Sequence, residues 1–388
     1  MERNRRVRKG QGLLEVTALF LRLGATAFGG PAAHIALIER ECVQRRRWMT
    51  PQRFLDVLSV SHLIPGPTST ELAMHVGRIR AGWPGLLAAG LAFILPAAVL
   101  IGLLAAIYVR AGDLPVVRGV SMAIQPVVIV MVLQALVSIG PGALRSLPLA
   151  LLAVVAAVAA LAGVPEILVL LAAGVVPLLA ALGGRGTASG ITLLGALAVA
   201  TGGVMLMAAE PESGVPALDV FGYFLRVGSL LFGSGYVLLP VLQGDLVERL
   251  AWLTDRQLLD AIAAGQATPG PLFTTATFIG YLLGGPAVAV TATVAMFLPA
   301  FVCAALSSLV LDRLAASRYA RAFLDGVNAA AIALIAVTVI TLARTAFSGA
   351  LPVAIGGAAL IALLVARLNP SWVLLAAALI GAAFGSIT

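Results

Sequence analysis

Apolar runs of membrane-spanning length alternate with short polar segments along this chain. Residues 86–109 and 147–163, for example, contain no charged side chain. About 17 to 25 apolar residues are enough for a helix to cross the hydrocarbon core of a bilayer. The pattern therefore predicts an all-α polytopic membrane protein.

Two Pro-Gly-Pro triplets break this helical pattern. Each proline removes a backbone donor and disfavours helix in the residue before it, so each triplet must interrupt a helix. Broken backbone is tolerated in a membrane only where protein or a cavity surrounds it. Repeated discontinuous helices therefore indicate a transporter's binding site. The triplets are Pro65-Gly66-Pro67 and Pro269-Gly270-Pro271.

The two triplets lie 204 residues apart, and other short motifs recur at the same offset. Phe20-Leu21-Arg22 corresponds to Phe224-Leu225-Arg226, and Trp48 corresponds to Trp252. We interpret the chain as an internal duplication. Its expected parts are a cytoplasmic N-terminal segment (1–12), a first repeat (13–185), a connecting transmembrane segment (186–212) and a second repeat (213–388).

The distribution of charge predicts that the second repeat is inverted. The loop 40–53 holds five arginines and is expected in the cytoplasm. The equivalent loop, 244–257, holds two arginines beside three acidic residues. Segments 51–64 and 68–80 are too short to span, so they are predicted to form a re-entrant hairpin. With the extra apolar segment 191–208, we expect about 13 crossings and a cytoplasmic N-terminus.

In an inverted repeat, the half-helices that begin after Pro67 and Pro271 would both point their N-termini at the bilayer midplane. Helix N-termini bind anions through free amide groups and the positive end of the helix dipole. The pattern predicts a site for a compact oxyanion. The alternative is a purely structural kink, since proline is favoured at the first helical position. The hydroxyl side chains that follow the two triplets are Thr68, Ser69, Thr70, Thr274 and Thr275.

Arg22 and Arg226 lie in the first apolar span of each repeat. A guanidinium in such a helix is costly and usually faces a cavity or a partner, and its planar fork of donors suits an oxyanion. We expect both arginines to compensate the charge of the substrate. The alternatives are pairing with a carboxylate, such as Arg22 with Glu15, or snorkelling to the interface.

The two halves differ chemically around the triplets. His62 and Glu71 flank the first triplet, whereas Gln266 and Thr275 hold the equivalent positions. We expect His62 and Gln266 to line the substrate site. His62 and Glu71 are also candidates for proton coupling, with ordinary hydrogen-bonding roles as the alternative.

Glycines follow the first span of each repeat and predict a point of movement. Close helix packing would also explain them. They are Gly29, Gly30, Gly233 and Gly235.

Composition agrees with the membrane interpretation and narrows the function. The 388 residues are 61% hydrophobic and 11% charged, with a mean hydropathy of +1.05. The net charge of +8 reflects arginines in membrane-flanking loops rather than a nucleic-acid surface. Cys42, Cys303 and the three histidines lack metal-ligand spacing, so neither metal nor cofactor is expected. Gly233-Ser234-Gly235 resembles a nucleophile turn, but the second half contains no histidine, which argues against an enzyme.

Ordered motifs carry a resemblance to a known family. In the first half they are Phe28-Gly29-Gly30-Pro31 with His34, Leu63-Ile64-Pro65-Gly66-Pro67 and Phe93-Ile94-Leu95-Pro96. In the second half they are Phe232-Gly233-Ser234-Gly235-Tyr236, Gln266-Ala267-Thr268-Pro269-Gly270-Pro271 and Phe297-Leu298-Pro299. Over essentially the whole chain, this set resembles the long, two-domain form of the chromate ion transporter family.

The resemblance implies a bacterial inner-membrane exporter of chromate with antiparallel halves, conferring chromate resistance, and with sulfate as a competing analogue. Transport of sulfate or another oxyanion and a passive anion channel are the alternatives. A homodimer is also compatible with the sequence.

Overall fold

The computed structural model describes residues 2–112, 114–183, 215–232, 235–311 and 317–386. Within these ranges the chain is helical and contains no β-strand, as the hydrophobic pattern predicts. Four segments are long and apolar enough to cross a membrane. They are Thr68–Ala111, Pro115–Ala143, Leu272–Ser307 and Arg318–Ala346. The predicted connecting segment, 191–208, lies outside the described residues.

The described helices of the two halves correspond to one another in order. Those of the first half are α1 (Glu2–Thr26), α2 (Gly30–Glu39), α3 (Pro51–Leu63), α4 (Thr68–Ala111), α5 (Pro115–Ala143), α6 (Leu147–Leu161) and α7 (Glu166–Gly183). Those of the second half are α8 (Ala217–Leu230), α9 (Leu238–Leu242), α10 (Asp255–Ala267), α11 (Thr275–Ser307), α12 (Arg318–Ala346), α13 (Ala350–Leu360) and α14 (Pro370–Gly385). Helices α2, α9 and α13 each continue as a π-helix, over Arg40–Arg45, Gln243–Arg249 and Ile361–Val365.

The long helices α4 and α11 are each broken near their N-terminal ends. The backbone is non-helical at Ala81 and Gly82 in α4, and at Gly284 and Gly285 in α11. Gly82 and Gly285 have φ angles of 71° and 75°, a conformation that glycine adopts without steric cost. The short arm of α4 thus ends where the sequence predicts the end of segment 68–80.

The described chain forms two compact units that cut across the sequence repeats. The first unit takes the described residues within 1–113, 216–235 and 261–316. In it α1 packs along α4, α8 packs along α11, and α4 contacts α11. Gly24 allows the close approach of α1, because a Cβ atom there would lie 2.5 Å from the Phe93 carbonyl oxygen.

The second unit takes the described residues within 114–215, 236–260 and 317–388. In it the two halves exchange helices. Helix α5 packs against α13 and α14, and α12 packs against α6 and α7. Each unit therefore contains corresponding parts of both repeats.

Candidate functional site

The two Pro-Gly-Pro turns dock reciprocally in the first unit. The Gly66 amide donates to the Leu231 carbonyl at 2.8 Å, and the Gly270 amide donates to the Ala27 carbonyl at 3.0 Å. Ala27 directly follows α1 and Leu231 directly follows α8. Each turn is therefore held by the end of the other half's first helix, and the four segments meet at one centre.

Both central glycines have a backbone conformation that favours glycine, and neither position has room for a Cβ atom. Gly66 has φ 130° and Gly270 has φ 96°, a region that other L-residues rarely adopt. A Cβ atom on Gly66 would lie 2.8 Å from that of Ala300 and would overlap the Glu71 carboxyl. On Gly270 it would lie 2.6 Å from that of Ala97. The conformation of each turn is thus fixed by its neighbours.

The hydroxyls that follow the first turn are buried, and one of them has no acceptor. Thr68, Ser69 and Thr70 are at most 3% exposed. The Thr70 amide donates to the Pro67 carbonyl at 2.8 Å, while its hydroxyl has no hydrogen-bond partner among the described residues. Thr70 therefore has a buried O–H donor that no described residue accepts.

The hydroxyls that follow the second turn already donate hydrogen bonds to backbone carbonyl groups. Thr274 donates to the Pro271 carbonyl and Thr275 donates to the Leu272 carbonyl, both at 2.7 Å. Each hydroxyl has a single hydrogen, so in this conformation both can only accept. The sequence predicts donors at both turns, and the structure leaves a free hydroxyl donor after the first.

Glu71 and Gln266, which lie close in sequence to the two turns, also have buried polar atoms without a partner among the described residues. Glu71 is fully buried, and neither of its carboxyl oxygens has a hydrogen bond. Gln266 is 8% exposed, and its Nε2 has no acceptor. A buried polar group without a partner costs free energy that a ligand or a proton can recover. His62, by contrast, is exposed at the end of α3, and the structure shows no hydrogen bond from it to Glu71.

Arg22 is paired with a carboxylate that the sequence analysis missed. Its Nη2 lies 3.0 Å from an oxygen of Glu41, which also contacts Arg45 at 2.7 Å and Arg46 at 3.4 Å. Glu15 instead pairs with Arg80 at 2.7 Å, so the pairing of Arg22 with Glu15 is wrong. Glu41 is 19 residues from Arg22, so the sequence alone does not indicate this pairing. The repeat offset does place an acidic residue, Asp245, at the position equivalent to Glu41.

The cluster around Glu41 combines one buried carboxylate with three guanidinium groups. Burial alone would raise the pKa of Glu41, but the hydrogen bond from Arg45 and the charge of Arg22 hold it below its usual value. The cluster therefore carries excess positive charge, and half of the Arg22 side chain is exposed.

In the second half, the Arg226 guanidinium carbon lies 5.8 Å from the centroid of the Tyr223 ring. Asp245 forms an ion pair with Arg249 at 2.6 Å, as Glu41 does with Arg45 at the equivalent positions. In this half, Arg226 therefore lies near an aromatic ring, and Arg249 is paired with a carboxylate.

Two of the glycines that follow the first span, Gly29 and Gly30, have positive φ angles. Gly29 and Gly30 have φ angles of 105° and 75°; Gly29 precedes α2 and Gly30 is its first residue. Gly235 opens a short 3₁₀ helix, Gly235–Val237. Gly233 lies outside the described residues.

The second unit contains a polar cavity of about 190 Å³ that the sequence analysis did not anticipate. Its lining includes Glu166, Gln243, Glu248, Thr338 and Thr341. The Gln243 amide donates to Glu248 at 3.0 Å. Both halves line the cavity, but position 370, equivalent to Glu166, is a proline, so the Glu166 carboxyl has no counterpart in the second half.

Comparisons with known proteins agree on one family. The model of the family described as Chromate transporter matches the chain twice, over residues 14–178 and 218–382. The chain is 37% identical over 340 residues to the chromate transport protein of Pseudomonas aeruginosa, covering 85% of this chain and 81% of that protein. It is 31% identical over 380 residues to the chromate transport protein of Cupriavidus metallidurans, covering 95% and 92%. No solved structure matches the chain.

Proposed function

Because the chain belongs to the chromate transporter family, we propose that it is a secondary transporter that moves chromate across a membrane. Two relatives that align over most of their length are named chromate transport proteins. The apolar helices of the described chain agree with a membrane location. The proposal is therefore a transporter rather than an enzyme.

We further propose that transport is outward, across the bacterial inner membrane, and gives chromate resistance. Moving a dianion out of a negative interior releases about 4.6 kcal/mol per 100 mV, which is twice the value for one charge. That free energy corresponds to roughly a thousandfold gradient. The membrane potential alone is thus sufficient to drive export.

The proposed topology is two inverted repeats with re-entrant hairpins, about 13 crossings and a cytoplasmic N-terminus. The unequal charge of the loops 40–53 and 244–257 supports it. A reporter fused at Arg46 should be cytoplasmic and one fused at Asp255 should be external. If both reporters lie on the same side, the inverted arrangement falls.

The proposed substrate site is centred on the two docked turns. The observation that carries it is the pair of buried donors without acceptors, the Thr70 hydroxyl and Gln266 Nε2. Oxygens of a tetrahedral dianion would satisfy both, together with amides at the start of α4. The other proposed contacts are His62, Pro65, Gly66, Pro67, Thr68, Ser69, Pro269, Gly270, Pro271 and Thr274.

Charge compensation and movement are assigned to residues around this centre. Arg22 and Arg226 are proposed to offset the charge of the dianion, and the excess positive charge around Glu41 supports this role for Arg22. Gly29, Gly30, Gly233 and Gly235 are proposed to allow the first helices to move. Glu71, with His62, is the proposed route for a coupled proton, because an ionised carboxylate beside a dianion would oppose binding.

Chromate uptake by everted membrane vesicles tests the function. We expect saturable uptake that excess sulfate inhibits and that depends on energisation. Flux that follows the potential without saturation would indicate a passive anion channel. If abundant protein moves sulfate and not chromate, the substrate is another oxyanion.

A further inference from the structure

His34 connects the two Pro-Gly-Pro turns. Its Nε2 lies 3.0 Å from the Ala27 carbonyl oxygen, and its Nδ1 lies 3.4 Å from the Ser69 hydroxyl. The same carbonyl accepts the Gly270 amide of the second turn, while Ser69 belongs to the helix that begins after the first turn. The imidazole is 2% exposed.

These contacts fix where the protons lie. A carbonyl oxygen can only accept, so Nε2 carries a hydrogen. In neutral His34, Nδ1 is then an acceptor, and the single hydrogen of Ser69 must point at it. Ser69 therefore has no hydrogen left for an anion at the first turn. If Nδ1 is also protonated, Ser69 accepts from it and its hydrogen is released toward the turn.

We propose that a dianion binds at the first Pro-Gly-Pro turn together with one proton, which His34 takes up at Nδ1. The proton comes from solution, and no bond other than N–H forms. This inference rests on the proposed function and assigns a positioning role to His34, which acts on the anion through the Ser69 hydroxyl. The equivalent residues of the second half, Leu238 and Phe273, have no such chemistry.

Among the described residues, no ion pair involves the His34 imidazole. Its ring packs edge-on against Phe93, with centroids 5.5 Å apart. In the described chain, its polar contacts are the Ala27 carbonyl and the Ser69 hydroxyl. Arg22 in α1 is paired with Glu41. The charged or titratable residues within seven sequence positions of Ala27, His34 or Ser69 are Arg22, Glu39, Arg40, Glu41, His62, Glu71 and His75.

Equilibrium binding of chromate to the purified full-length protein tests this linkage. Wild type is compared with His34→Gln between about pH 6.5 and about pH 8.5, the range in which a histidine can exchange its proton. Glutamine can still donate to Ala27 but cannot take up a proton. Chromate's own titration affects both proteins equally and cancels in the difference. We expect the wild-type Kd to rise about tenfold more per pH unit than that of the variant, as uptake of one proton requires.

Further variants separate this linkage from a structural role and from Glu71. Ser69→Ala keeps His34 and removes the linking hydroxyl, so it should lose the extra pH dependence. Glu71→Gln removes the separate proton proposed for coupling, but it should keep the part of the pH slope that depends on His34. Equal pH slopes in wild type and His34→Gln, or a wild-type slope in Ser69→Ala, overturn the inference while leaving chromate binding intact. If wild type binds no chromate at any pH, the proposed function falls instead.

Discussion

The two Pro-Gly-Pro turns share a backbone and differ in their side chains. Gly66 and Gly270 both adopt positive φ, and both donate to the residue that follows the first helix of the other half. Around the first turn, positions 34, 69, 71 and 75 are histidine, serine, glutamate and histidine. Their counterparts at 238, 273, 275 and 279 are leucine, phenylalanine, threonine and isoleucine.

This difference separates two roles within one duplicated motif. The shared backbone maintains the mutual docking, which needs both copies. Thr70, Glu71 and two histidines lie around the first turn, while Gln266, whose Nε2 has no acceptor among the described residues, precedes the second turn. Thr274 and Thr275, after the second turn, hydrogen-bond to their own backbone. We therefore expect the second turn to act mainly as a support, and most of the titratable chemistry to lie at the first turn.

Replacing either central glycine should have the largest effect, and it should be similar at both turns. Gly66→Ala and Gly270→Ala introduce a Cβ atom at positive φ, a strain of about 1–2 kcal/mol, and also place it within 2.8 Å of Ala300 or 2.6 Å of Ala97. We expect loss of stable protein, measured as membrane abundance and thermal unfolding midpoint. Gly285→Ala is the matched control, because it has φ 75° but no atom within 4 Å of the new Cβ.

If Gly270→Ala behaves like Gly285→Ala, the two turns are not equivalent in structure. The two turns would then not share the same requirement for a glycine backbone.

Removing the acid at the first turn should reduce flux far more than altering its counterpart. Glu71→Gln preserves shape but cannot release a proton, so we expect chromate flux driven by a pH gradient to fall about tenfold or more. Thr275→Val removes a hydroxyl that bonds to its own helix, and its flux should stay within about twofold of wild type. Initial rates in everted vesicles measure both, and equal losses would show that the turns share the chemistry.

The sequence was sufficient for the helices, the breaks and the repeat. Proline and glycine act locally, so the interruptions at Pro65-Gly66-Pro67 and at residues 81–82 follow from residue type alone. The offset of 204 residues also predicts that the turns are equivalent. These features need no knowledge of which segments touch.

Contacts between distant segments could not be predicted in the same way. The reciprocal bonds of Gly66 and Gly270, the pairing of Arg22 with Glu41, and the exchange of helices in the second unit all depend on tertiary packing. Hydroxyl direction is equally hidden, because Thr70 and Thr274 are alike in sequence but only Thr274 bonds to its own turn. His34 could have been found only as a histidine close to a predicted break.

The arginines at equivalent positions should have intermediate effects. Arg22→Ala and Arg226→Ala should each lower chromate flux at normal membrane abundance, because each removes a positive charge near the proposed site. If both variants keep full flux, the arginines have no part in transport.

Replacing Arg22 should also change how the stability of the protein depends on pH, because Arg22 is paired with Glu41. The pKa of Glu41 is lowered in the folded protein, so its contribution to stability is present above its unfolded pKa and is lost as pH falls through its folded pKa. Arg22→Ala should raise that pKa and reduce the loss on acidification. Unfolding midpoints measured from about pH 7 down to about pH 3 should therefore fall less in the variant. An unchanged pH profile would contradict the pairing.

The smallest expected difference lies in the caps of the helices that lead to the two turns. Thr50 caps α3 by accepting the Arg53 amide at 3.2 Å. Thr254 caps α10 by accepting the Gln257 amide at 3.2 Å, and Gln257 accepts the Thr254 amide in return at 2.9 Å.

Replacing either threonine by alanine should cost about 1 kcal/mol of unfolding free energy. Thr254→Ala should cost a few tenths of a kcal/mol more, because it also removes the hydroxyl's bond to the Gln257 side chain and weakens the reciprocal cap. Because both caps lie outside the chemistry of the first turn, chromate flux per folded molecule should be unchanged in both variants. A selective loss of flux in Thr254→Ala would mean that the second turn contributes more than support.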